Sequence, residues 1–199
     1  MNFTEPTVTP GGVLAHGPAL VALARAAIRE ALGGPRCVRP VGAWTAARVG
    51  TFVTLHWHGR ALQGCIGSLE PVRGVVDDVV RNATLAATRD PRGRALVLAD
   101  VDHLEVELSI LSPLERVPGT SEAEILAQLR PGVDGVVLEV GDRSGTLLPA
   151  VWDDVPDAAA FWRALERKAG LATTAWSPTT KVWRYTAARF VDPAPGGWA

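Results

Sequence analysis

Leu62-Gln63-Gly64-Cys65-Ile66-Gly67 decides how this chain is read. A cysteine stands between two glycines, and glycines remove side-chain cover so that a ligand or another backbone can come close. The residues just before it, 51–58, alternate in polarity with the period of a strand. If Gly59-Arg60 is a two-residue turn, residues 51–58 and 61–67 form a hairpin. His58 then faces Ala61, His56 faces Gln63 and Thr54 faces Cys65, and directly opposed residues share a face. One face carries Val53, Leu55, Trp57, Leu62 and Ile66. The other carries Thr54, His56, His58, Gln63 and Cys65. A slip of one residue would mix the two sets and bury histidines. This register puts Cys65 on a polar face, diagonal to His56.

Working outward, residues 18–32 read as a helix with Pro18 at its first turn, an apolar stripe of Leu20, Leu23, Ala24, Ala27, Ile28 and Ala31, and Gly33 as its stop. Pro71 is placed to open a second helix over 72–88, which Asp90-Pro91-Arg92-Gly93 terminates. Residues 102–111 alternate Leu104, Val106, Leu108 and Ile110 against Glu105, Glu107 and Ser109, a strand with one buried face. Ser121 and Glu124 suit a capping box for a short helix over 121–130. Residues 135–140 and 146–151 read as a hairpin around Asp142-Arg143-Ser144-Gly145. Asp157 caps a helix that runs to Ala169 and stops at Gly170. Residues 181–191 make a last strand. Hairpins mixed with isolated helices predict an α+β fold, largely antiparallel, rather than a regular βαβ winding. Residues 1–12 read as a loose arm, 13–192 as the folded body and 193–199 as a loose tail.

Composition excludes several classes. The 199 residues carry a net charge of −1 and 47% hydrophobic residues. That balance gives no electrostatic case for a nucleic-acid or membrane-surface binder. No apolar run reaches the ~18 residues of a membrane span, and residues 1–12 lack the pattern of a secretory signal. Two cysteines, Cys37 and Cys65, make no disulfide framework, so a reducing cytoplasm is the expected compartment. Seven tryptophans against one tyrosine are expected mostly in the core, because Trp is largely buried.

Three readings of Cys65 compete. It is a nucleophilic or redox thiol helped by His56, since the thiolate is the reactive form and a neighbouring imidazolium favours it. It joins His56 and His58 around a metal, although no fourth ligand stands at a suitable spacing. Or it is a small residue where chains pack closely. Other positions divide the same way. Asp90 and Arg92 are a substrate-orienting pair or a local salt bridge. Glu105 and Glu107 offer a general base or a solvated sheet face. Lys168 favours its own helix end.

The stretch Leu62-Gln63-Gly64-Cys65-Ile66-Gly67-Ser68-Leu69-Glu70-Pro71 resembles the Leu-Arg-Gly-Cys-Ile-Gly signature of the AMMECR domain family. The resemblance continues at Asn82-Ala83, Ala86-Ala87, Asp90-Pro91-Arg92, at residues 104–113, at Gly135, at residues 147–151 and at 168–172, and so spans roughly 15–190. The chain departs from the family pattern at Gln63 in place of Arg, Gly93 in place of Phe and Ala150 in place of Gln. Loss of the Arg removes a planar donor group suited to anions. The resemblance implies a larger and a smaller subdomain with a site around the signature. It does not identify a reaction, and the cofactor is unknown. It implies as partners the Memo-like and radical-SAM proteins that accompany prokaryotic members in the AmmeMemoRadiSam system. The expected site is Cys65 and His56 as the reacting pair, with Thr54, Gln63, Gly64, Gly67, Asp90, Arg92 and Glu107 contacting a small ligand and no metal. The expected activity is thiol-dependent catalysis or ligand binding; a non-catalytic adaptor is the alternative, and nucleic-acid association a third reading that the charge disfavours.

Overall fold

The computed structural model describes residues 10–57, 61–171, 176–177 and 179–193. The expected turn at Gly59-Arg60, the position of His58, most of the arm and nearly all of the tail lie outside them. The chain is α+β and forms two compact units. The first runs to Leu111 and resumes at Ala188; the second spans Ser112–Ala187.

In the first unit, β1 (Thr51–Trp57), β2 (Ala61–Ser68), β3 (Glu105–Leu111) and β8 (Ala187–Asp192) make one sheet in the order β2-β1-β3-β8. The β1–β2 and β1–β3 pairs are antiparallel. The helices α2 (Gly17–Ala31) and α3 (Val75–Thr88) pack on this sheet, with Leu20, Ala24, Ile28, Val79, Ala83 and Ala86 against Val53, Leu55, Val106 and Leu108 in one buried cluster. Burying that set is the main stabilising term, at about 25 cal/mol per Å² of apolar surface. Arg25 projects from α2 into this layer. Its guanidinium donates to the carbonyls of Val101, Leu104 and Asp192 and to the Asp192 carboxylate, which ties β8 to the helix.

Residues 10–12 fall at the end of the expected arm. They begin α1 (Pro10–Leu14), which is anchored by Val13, a fully buried side chain. The helix expected from Pro71 starts later, at Val75. The segment before it is held against the turn at 43–46, where the Val75 N–H donates to the Ala47 carbonyl at 2.8 Å. Residues 98–103 form a 3₁₀ turn, so β3 begins at Glu105 rather than at 102.

In the second unit, β4 (Glu115–Val117), β5 (Gly135–Val140), β6 (Arg143–Leu147) and β7 (Thr180–Tyr185) form a sheet in the order β4-β7-β5-β6. The helices α4 (Glu122–Leu126), α5 (Val151–Asp154) and α6 (Ala158–Lys168) complete the unit. The hairpin turn is tighter than expected. Val140 pairs with Arg143, which leaves Gly141-Asp142 as the turn, with Gly141 at φ 63°. Strand β6 ends at Leu147, and Val151 opens a helical turn instead of closing the strand. The Ser121 side chain accepts from the Glu124 N–H and Asp157 from the Ala160 N–H, as the capping pattern predicts. Trp152 stacks on Phe161, and both are buried with Trp162, while Trp44, Trp57 and Trp176 are only partly buried against the core.

The expected last strand is two strands in two sheets. The break falls at Thr186, whose N–H donates to Ser112 Oγ while its carbonyl accepts from the Ser112 N–H, both at 2.9 Å. The residues that leave the first unit and those that return to it are thereby joined to each other. Among the described residues no helix is long and apolar enough to cross a membrane.

Candidate functional site

Alternation along β1 puts Thr51, Val53 and Leu55 toward the helices and Phe52, Thr54 and His56 on the opposite face. Thr54 pairs with Cys65, as the hairpin argument expects, and the Thr54 hydroxyl donates to Cys65 Sγ at 3.3 Å. Cys65 is partly exposed.

The register then breaks. Leu55 pairs with Gly64 but His56 pairs with Leu62, so Gln63 is the extra residue of a β-bulge. The expectation that Gln63 faces His56 on the polar face is corrected. Gln63 is buried at 4% exposure, and its amide donates to the Arg94 carbonyl at 2.7 Å. The same bulge turns Leu62 out of the apolar face, where it is exposed. Bulges re-aim side chains in this way.

The two glycines meet different neighbours. A Cβ on Gly64 would lie 2.3 Å from the Ala86 carbonyl oxygen, so this glycine admits α3 against the strand. A Cβ on Gly67 would fall on the Phe52 ring. Both are occupied by the protein's own atoms rather than open to a ligand.

Asp90 and Arg92 hold the backbone of Cys65. Strand β2 lies at the sheet edge, where one side of its backbone has no strand partner. The Cys65 N–H donates to Asp90 Oδ2 at 2.8 Å, and Arg92 Nη2 donates to the Cys65 carbonyl at 3.1 Å. The pair is itself joined, Arg92 Nη2 to Asp90 Oδ2 at 2.6 Å. The Arg92 guanidinium beside it holds the Asp90 carboxyl well below the usual carboxylate range, with the Cys65 and Arg92 N–H groups adding to the effect against the cost of burial. The pair is a local salt bridge that also holds the main chain of Cys65.

Of the two readings of Glu105 and Glu107, a solvated sheet face does not hold for Glu107. Glu107 is 5% exposed, because β8 lies beside β3 and supplies Arg189, whose Nη2 stands 2.6 Å from Glu107 Oε2. Thr54 opposes Glu107, and His56 opposes Glu105, with His56 Nδ1 3.7 Å from Glu105 Oε1. His56 shares the Cys65 face but makes no hydrogen bond to the sulfur among the described residues. Glu105 belongs with this group. Its sequence signal was the alternation with Glu107, and only the β1–β3 register shows which histidine it meets.

A buried polar network lies on the helix side. Asp78 Oδ2 accepts from the Thr51 hydroxyl at 2.7 Å, Asp78 Oδ1 accepts from the Ser68 hydroxyl at 3.1 Å, and the Asn82 amide donates to both Thr51 and Asp78. Burial pushes the Asp78 carboxyl up. This explains the Asn82-Ala83 block as structural. The network fixes where β1 and β2 lie against α3.

A family profile described as AMMECR1 matches residues 21–190. A protein of Thermococcus kodakarensis, Protein TK0174, is 36% identical over 197 residues, covering 91% of this chain and 92% of its own. Protein MJ0810 of Methanocaldococcus jannaschii is 33% identical, covering 92% and 94%. The crystal structure of uncharacterized protein PH0010 from Pyrococcus horikoshii superposes with a TM-score of 0.83 at 34% identity, over 92% of this chain and 94% of that one.

Proposed function

The chain belongs to the AMMECR1 family, and from that premise we propose that the polar face of its first sheet is a small-ligand site at which the Cys65 thiol is the reacting group. One observation carries this reading. Cys65 is partly exposed while its backbone is clamped on both sides, N–H to Asp90 and carbonyl to Arg92, and its side chain receives the Thr54 hydroxyl. A purely packing cysteine needs no such fixing of its main chain. A reacting group does, because productive geometry has to be held by supporting residues. A hydroxyl donor also stabilises sulfur as it gains negative charge.

His56 is not the immediate partner of the thiol in this reading; Thr54 is. The loss of the signature Arg fits the same picture. Gln63 is turned inward beside Gly93, where a Cβ would fall 1.9 Å from the Gln63 carbonyl oxygen. Two of the departures from the family pattern thus sit against each other. Neither presents an anion-binding group to the face.

The test is a panel of chloroacetamide fragments of matched intrinsic reactivity, applied to the Cys37→Ser protein and read by intact mass. A recognition site modifies Cys65 with strong preference among fragments, about tenfold or more for a gain of 1.4 kcal/mol in binding. Labelling that simply follows intrinsic reactivity would sink the ligand-site reading and leave docking of partner proteins as the better account.

A further inference from the structure

The polar face carries a second cluster beside Thr54. His56 on β1 and Glu105 and Glu107 on β3 each offer one ligand atom, and these atoms lie within 4.8 Å of one another. The β1–β3 register makes the cluster, since His56 opposes Glu105 and Thr54 opposes Glu107. His56 Nδ1 is buried and has no hydrogen-bond partner among the described residues. The 3.7 Å to Glu105 Oε1 is too long for a hydrogen bond. Buried polar nitrogens are nearly always satisfied, so an orphaned one needs an explanation. Charge points the same way. Two carboxylates converge beside one imidazole, with Arg189 Nη2 2.6 Å from Glu107 Oε2.

We infer that His56, Glu105 and Glu107 hold a divalent first-row transition-metal ion of the zinc or manganese class. One imidazole nitrogen and two carboxylate oxygens suit that class, and three protein ligands leave coordination positions open to water or a ligand. Donors about 2.1 Å from a shared ion lie roughly 3 Å apart when adjacent, so the side-chain ends draw in by about 1–2 Å on binding. The ends of the two glutamate chains rotate readily enough to allow this. Thr54 stands between this cluster and Cys65, paired with Glu107 on one side and Cys65 on the other. The metal assignment does not rest on thiol chemistry, and Cys65→Ser separates the two.

The experiment is equilibrium dialysis of the chelator-stripped full chain against Zn(II) and, separately, Mn(II), with bound metal measured by mass spectrometry. The wild type and Cys65→Ser are expected to bind one equivalent. His56→Gln and Glu105→Gln are expected to lose roughly tenfold or more in affinity while their melting in EDTA stays close to wild type. Less than one-tenth of an equivalent of either ion in the wild type overturns the inference and leaves a contact between His56 and Glu105. So does wild-type binding by both variants, which would place the ion elsewhere. If the variants do not fold, Mn(II) broadening of wild-type amide resonances decides. Broadening centred on 54–56 and 105–107 supports the site, and broadening confined to other segments overturns it.

Discussion

Cys65 and Asp90 are joined across the sheet edge by one hydrogen bond, the Cys65 N–H donating to Asp90 Oδ2 at 2.8 Å. The bond closes an otherwise open strand edge at the cysteine of the signature. Asp90 is nearly buried, at 2% side-chain exposure, and Arg92 is half exposed. The partner charge is therefore partly screened by solvent, and the bond to the Cys65 backbone is the sheltered part of the arrangement.

Asp90→Asn should cost about 1–3 kcal/mol, because it weakens the pairing of a buried acceptor. Its pH dependence has a definite sign. The Asp90 carboxyl is held below its ordinary value, mainly by Arg92. A depressed carboxylate contributes stability that is fully present above the unfolded pKa of about 3.9 and is lost as pH falls through the folded value. The gap between wild type and Asp90→Asn should stay constant from pH 5 to 8 and shrink below about pH 4. Urea unfolding across that range measures it.

Gly64→Ala should destabilise by about 1–3 kcal/mol, since the new methyl meets a backbone carbonyl that cannot swing aside. Gly67→Ala should cost less. Its obstacle is the Phe52 ring, a side chain that can rotate. Comparative thermal melts order the two. Equal losses would contradict this assignment of their neighbours.

Asn82→Ala should cost about 1–3 kcal/mol by leaving Thr51 and Asp78 short of a donor in a buried layer. The loss should appear as faster amide exchange in β1 and β2, and exchange confined to α3 would contradict the role given to the network.

Much of this arrangement is legible in the residues. The alternation of 51–57 fixes which side of β1 is buried, and the pairing of Thr54 with Cys65 follows from it. The bulge at Gln63 is not legible, because the hydrophobic pattern tolerates one extra residue near a hairpin end and Leu62 gives no sign of being turned out. Glu107 looked solvated because its alternation with Val106 and Leu108 reads as a one-sided strand. Its burial depends on β8, some 80 residues later. The split of 181–191 into two sheets is also invisible locally, since both halves have strand character and the break depends on Ser112. Asp90 and Arg92 were legible as a pair but not in their target, which a contact across 25 residues alone defines.

The two thiols should differ in a predictable way. Burial pushes the Cys37 thiol up, and the Glu30 carboxylate beside it adds to the effect. Cys37 should therefore alkylate more slowly than a free cysteine at neutral pH, and peptide mapping of briefly labelled wild type should find Cys65 modified first. Preferential labelling of Cys37 would contradict this.

The most direct test of the account is the rate of iodoacetamide labelling of Cys65 in the folded Cys37→Ser protein, with and without Thr54→Val. The account predicts complete labelling of the native protein, slowed roughly fivefold when the Thr54 hydroxyl is removed, as a hydrogen bond of about 1 kcal/mol requires. Labelling that waits for unfolding, and that Thr54→Val does not change, would make Cys65 a packing residue and contradict the proposed site.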